Sequence, residues 1–95
     1  MEIVFEYDKK KAEVNIQKHN VDFEEAKTVF YNPLSKIFDD EVHSIKEKRE
    51  IIIGHSNKGR LLIVIFTERK QNVIRIISAR IATAKERKDY EKNIK

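Results

Sequence analysis

Residues 60–67, Arg-Leu-Leu-Ile-Val-Ile-Phe-Thr, constrain the fold more than any other stretch of the chain. A strand buried on one face alternates apolar and polar residues. This run is apolar at every position from Leu61 to Phe66, which marks a central strand covered on both faces. It is far shorter than the roughly 20 apolar residues needed to cross a bilayer. The chain has 95 residues, the size of one domain, and residues 1–95 read as such. A domain this small buries only about two thirds of its unfolded surface, so it builds one modest core around that strand.

The neighbouring patterns supply the other elements. Ile3, Val4 and Phe5 form a short first strand. Asp8 caps a helix from Lys9 to His19, on which Ala12, Ile16 and His19 define an inward side, with His19 as a packed histidine. Asn20 is a left-handed C-cap. Asp22 caps a second helix with Phe23, Ala26, Val29 and Phe30 on one face, and Asn32-Pro33 ends it. Ile37-Phe38 is a short strand before the acidic loop at Asp39-Asp40-Glu41. Arg49–Gly54 is a strand, Ser56–Gly59 a turn, Glu68–Asn72 another turn, and Val73–Ala79 the last strand. Thr83 and Glu86 fit the S/T-x-x-E capping box, which opens a helix from about Ala84 to Asn93 with Tyr90 on its packed side. The expected class is α+β: two N-terminal helices, an antiparallel β-sheet meander and a C-terminal helix.

Composition excludes several function classes. The chain has no Cys, which removes disulfides, thiolate metal sites and thiol catalysis. His19, His43 and His55 lack metal-ligand spacing, so no metal and no cofactor is expected. The N-terminus lacks the basic region and long apolar stretch of a signal peptide, and a soluble, cytoplasmic protein without membrane contact is expected. Charge is unevenly placed. Residues 1–68 hold 11 basic and 13 acidic side chains, whereas residues 69–95 hold 9 basic and 3 acidic ones. That basic third suits a polyanion or an acidic protein, or is a solvated helix face.

An ordered set of landmarks runs through these elements: Phe5-Glu6-Tyr7-Asp8, Lys18-His19, Val21–Ala26, Val29-Phe30 and Asn32-Pro33-Leu34. Asp40, His43-Ser44, Arg49-x4-Gly54, Gly59–Val64 and Thr67-Glu68-Arg69 follow. Arg75-Ile-Ile-Ser-Ala-Arg80-x-Ala82-Thr83, Glu86-Arg87 and Tyr90-Glu91 close the series. In order and spacing the chain resembles the BrnT toxin family of bacterial toxin–antitoxin pairs over nearly its whole length. Two departures are mild: Tyr7 stands where the family often has Trp, and Asn20 where it often has Gly.

The resemblance implies a RelE-like fold, cleavage of RNA with inhibition of translation, and neutralisation by a cognate BrnA-like antitoxin. A complex with an antitoxin dimer is implied, with operator DNA reached only through the antitoxin. RelE-like ribonucleases work without metal: the ribose 2′-hydroxyl attacks the adjacent phosphate. The protein then supplies proton transfer and cations for the developing charge.

Arginine suits the cationic task because its planar fork meets two phosphate oxygens. Arg80, past the last strand, either clamps phosphate or pairs with a carboxylate such as Glu6. Arg75, amid Ile74, Ile76 and Ile77, is costly unless paired or solvated. Arg75 and Arg80 are five apart, so a regular strand sends them to opposite faces. Either the strand ends or bulges near Ser78, or only one of them lines the site. Glu68 is a general base, an orienter of an arginine, or a solvated turn residue. Arg49 clamps phosphate or covers apolar surface with its stem. His43 is an acid–base candidate or an ordinary loop histidine. Tyr7 stacks on a base or packs at the core edge. Arg69, Arg87 and Lys88 suit phosphate contacts, or in the case of the helix pair an acidic antitoxin face. Without catalysis, the same features read as a basic nucleic-acid- or protein-binding module.

Overall fold

A computed structural model describes residues 2–93; Met1, Ile94 and Lys95 lie outside the described residues. Strand β1 (Val4–Glu6) leads into helix α1 (Lys9–His19) and helix α2 (Phe23–Val29). Strands β2 (Lys36–Asp39), β3 (Glu50–His55), β4 (Leu61–Lys70) and β5 (Val73–Ile81) follow, and helix α3 (Ala84–Asn93) ends the described chain. The sheet order is β1-β5-β4-β3-β2, with β4 at its centre.

Local chemistry explains most boundaries. Asp8 accepts from the backbone N–H groups of Lys10 and Lys11, and Asp22 from that of Glu25. Asn20 ends α1 in the left-handed region at φ 56°. Gly54 lies so close to Ser35 that a Cβ would sit 1.8 Å from its Oγ, which itself donates to the Val29 carbonyl. The loop after α2 can cross β3 only over a residue without a side chain.

Strands β2 to β5 form the expected antiparallel meander, but the sheet as a whole is mixed. β1 joins the outer edge of β5 in parallel, pairing Val4 with Val73 and Glu6 with Arg75. A parallel pair needs a long crossover, and the two helices and three strands in between provide it. The β4–β5 turn is also tighter than the sequence suggests. β4 continues through Glu68 and Arg69 to Lys70, and the connection is Gln71-Asn72 alone, with Asn72 at φ 66°. Asn tolerates that conformation through its short polar side chain.

Helix α1 docks in an unexpected way. Ile16 is 45% exposed and His19 is exposed rather than packed, whereas Asn15 is buried. The Asn15 carboxamide donates to the carbonyls of Val21 and Ala79 and accepts from the Ala79 N–H. β1 stops pairing at Arg75, so the outer edge of β5 beyond it has peptide groups without a strand partner. Asn15 satisfies the pair at Ala79, and an apolar residue there would leave them orphaned.

The two faces of the sheet bury different clusters. Val21, Phe23, Ala26 and Val29 from the α2 region cover Ile52, Leu62, Val64, Phe66, Ile74, Ile76 and Ala79 on one face. On the other face Tyr90 of α3 meets Ile53, Leu61 and Ile63. Between Ile65↔Ser78 and Phe66↔Ile76 the ladder skips Ile77, a β-bulge in β5.

Candidate active site

The α3 face is only half covered. Helix α3 closes one end, where the Tyr90 hydroxyl donates to the Leu34 carbonyl at 3.0 Å. Beyond it lies a cleft of about 600 Å³. Its floor is Ile51, Ile53, Ile63, Ile65 and Ile77, and its rim holds Lys36, Asp40, His43, Arg49, Arg80, Glu86 and Asp89. Side-chain alternation sets the floor: Ile51 pairs with Ile65 and Ile53 with Ile63, all on the face opposite the α2 core.

Arg80 reaches the cleft because of the bulge. Ile76 and Ala79 face the α2 core, and the extra residue between them sends Arg80 to the same side as Arg75 despite their spacing of five. Its terminal nitrogens donate to Glu86, Nη1 to Oε1 at 2.7 Å and Nη2 to Oε2 at 2.8 Å. The carboxylate is therefore Glu86 and not Glu6. Glu86 is itself placed by the capping box: Oε1 accepts the Thr83 N–H at 2.8 Å, and the Thr83 Oγ1 accepts the Glu86 N–H at 3.1 Å. The Arg80 hydrogen bonds hold the Glu86 carboxyl down to about 2, so Glu86 is ionised and poorly suited to accept a proton. The same pair raises the Arg80 guanidinium above its usual value. Of its five N–H donors, Arg80 commits two to Glu86 and a weaker third to the Ile81 carbonyl at 3.4 Å. Donors therefore remain for a ligand.

The opposite rim comes from the β2–β3 connection. Asp40 N–H donates to the Arg49 carbonyl, the Ser44 hydroxyl donates to the Asp40 carbonyl at 2.6 Å, and the Arg49 N–H donates to the Ser44 Oγ at 2.9 Å. These bonds fold residues 40–49 back and bring His43 beside Arg49. Asp40 is buried, and its carboxylate lies 3.0 and 3.2 Å from His43 Nδ1. With the proton on Nδ1 directed at the carboxylate, the other ring nitrogen is left to exchange protons. The Arg49 Nε is buried without a hydrogen-bond partner, its nearest carboxylate being Glu47 at 3.8 Å.

The structure thus gathers Arg49, Arg80 and His43 around one cleft and leaves the other candidates elsewhere. Arg75 and Arg69 both pair with Glu6 at the β1 corner, at 3.6 and 3.5 Å. Glu68 pairs with Ile74 in the ladder, so it points to the α2 side, and its Oε2 accepts the Asn72 N–H at 3.3 Å. Tyr7 lies on the helical side: its hydroxyl donates to Glu24 at 2.7 Å and its ring packs against Phe23. Arg87 and Lys88 sit on α3 outside the cleft lining, and His55 packs on Tyr90.

Lys36, Asp40, Glu86 and Asp89 are rim residues that sequence reasoning did not single out as site members. The i, i+3 spacing of Asp40 and His43, and the shared parity of Lys36 and Phe38 on β2, were the available signals. Among the described residues no group of three or more His, Asp or Glu side chains could hold a metal ion, and no helix is long and apolar enough to cross a membrane.

No curated protein matches the chain. The crystal structure of the Brucella abortus ribonuclease toxin BrnT superposes with a TM-score of 0.64 at 28% identity, covering 87% of this chain and 97% of that one. The model of the family described as ribonuclease toxin, BrnT, of type II toxin–antitoxin system matches residues 7–86, from Tyr7 through the Arg80–Glu86 pair. This chain therefore belongs to the BrnT family of type II ribonuclease toxins.

Proposed function

We propose that the α3-side cleft cleaves RNA without a metal, by attack of a ribose 2′-hydroxyl on its own 3′-phosphate. The observation that supports this is the convergence of Arg80, Arg49 and the Asp40–His43 pair on one cleft. Phosphate oxygens sit between the two guanidiniums, where the free donors of Arg80 and the terminal nitrogens of Arg49 meet the charge that grows on the phosphorane. His43 takes the 2′-hydroxyl proton through Nε2 while Asp40 stabilises the resulting imidazolium. The P–O5′ bond breaks, and the 5′-oxygen leaves as an alcohol with a proton from water in the open cleft. The products are a 2′,3′-cyclic phosphate and a 5′-hydroxyl end. The isoleucine floor offers bases an apolar surface beside the phosphate.

On this reading Arg75, Arg69, Glu68 and Tyr7 act away from the reacting phosphate, in the ion pairs and packing described above. The fold is the RelE-like one, and the protein acts in the cytoplasm by halting translation. Its partner is a BrnA-like antitoxin whose dimer covers the cleft and alone contacts operator DNA. The test is incubation of purified protein with RNA in EDTA, with end-group analysis. Cyclic phosphate ends that disappear in Arg80→Ala support the reading. Loss of cleavage on chelation, or binding that leaves RNA length unchanged, overturns it.

A further inference from the structure

A second groove opens on the other side of the same bulge. It lies between α1 and the outer edge of β5, and Lys10, Lys11, Lys18 and His19 line it together with Ile77 and Ser78. Ile77 and Ser78 also line the cleft. Past Arg75 no strand covers β5, so only its edge separates the two depressions. No carboxylate lines this groove, and none of the three lysines makes an ion pair among the described residues. The docking contact of α1, Asn15 on Ala79, uses none of them.

We propose that this groove binds the RNA strand flanking the scissile phosphate, with Lys10, Lys11 and Lys18 meeting its backbone phosphates as the strand crosses the bulge at Ser78. The inference rests on the cleavage assigned to the cleft. Lysine suits the role, because a flexible point charge binds phosphate without reading sequence. The cleft supplies chemistry to one phosphodiester, and the α1 groove supplies affinity to its neighbours.

The test compares wild type with a Lys10→Gln, Lys11→Gln, Lys18→Gln variant. The control is Lys58→Gln, Lys70→Gln, Lys92→Gln, which removes the same charge from other surfaces. The probe for binding is a labelled 2′-O-methyl RNA 15-mer, which lacks the nucleophile; the probe for chemistry is a pool of dinucleoside monophosphates, whose single phosphodiester leaves none for the groove. Single strands lose about 0.7 of log K per decade of salt for each phosphate neutralised, so the groove variant is expected to lose about 2 from the salt slope. At low salt its affinity for the 15-mer falls about tenfold or more, while dinucleotide cleavage and the control stay within about twofold of wild type.

A groove variant with the wild-type slope overturns the inference, and unchanged RNA binding with loss of antitoxin binding reassigns the groove to an acidic protein face. Wild type that cleaves RNA while the groove variant matches it sinks the groove alone. Wild type that neither binds nor cuts RNA sinks the cleft reading with it. Binding that depends on the groove without any cleavage sinks only the chemistry.

Discussion

The two faces of the sheet use similar residues to opposite ends. On the α2 side, Leu62, Val64, Phe66 and Ile76 are sealed beneath Phe23, Ala26 and Val29, and the polar groups at its margins are tied to one another. There Glu25 takes the guanidinium of Arg60 and the hydroxyl of Ser56, and those hydrogen bonds keep its carboxyl below the usual carboxylate range. On the α3 side, isoleucines of the same strands form a floor left open, and the charged groups around it retain unused donors. A sealed face is where stability resides; an open apolar floor under convergent cations is where a ligand fits.

The comparison breaks most readily in stability. Leu62→Ala, wholly buried on the sealed face, should cost about 2–5 kcal/mol by chemical denaturation. Ile51→Ala on the partly exposed floor should cost less than about half as much. Equal losses would mean that the cleft is core after all.

Activity should show the reverse preference. Arg80→Ala should lower RNA cleavage by about 10²–10³-fold, the scale for removing a preorganised donor, with the fold retained by circular dichroism. Arg75→Ala, on the same face but paired to Glu6, should change it by less than about threefold, as for an exposed ion pair. A large Arg75 effect would move the site to the β1 corner.

His43→Ala should cost about 10²-fold, the range of general acid–base catalysis, and free imidazole in the assay should restore part of it. Failure of rescue together with wild-type activity in the variant would remove His43 from the chemistry.

The smallest effect concerns acid. Glu86 has a folded value of about 2 against 4.5 for a free carboxyl, so its contribution is full above about 4.5 and is lost as pH falls toward 2. Glu25 shifts in the same direction. Glu86→Gln should flatten part of the acid side of the stability curve and leave the neutral plateau nearly unchanged. An unaltered acid limb would mean that Glu86 contributes nothing through its charge.

The helices, their caps and the meander were legible because each rests on local chemistry: Asp8, Asn20, Asp22, Thr83 and Glu86 act within a turn of their own positions. The parallel seat of β1 was not, since pairing with a strand some 70 residues away leaves no periodic trace. Burial of Asn15 ran against polarity, because its partners are backbone groups of β5. The candidate site was half legible. Arg80, Arg49 and His43 stood out as charges beside apolar strands, yet no spacing rule separates them from Arg75 and Glu68. What separates them is which face each occupies and how far from Glu6 it stands, and both are products of the assembled sheet.

Ile77 has one further implication. It is the single residue of β5 without a counterpart across the ladder, so β5 has one residue of slack between Ile76 and Ser78. Omitting it would leave an unbroken alternation in which every other side chain keeps its own side, Arg80 included. Between Ser78 and Arg80, by contrast, gaining or losing a residue would turn the guanidinium inward among the leucines and valines.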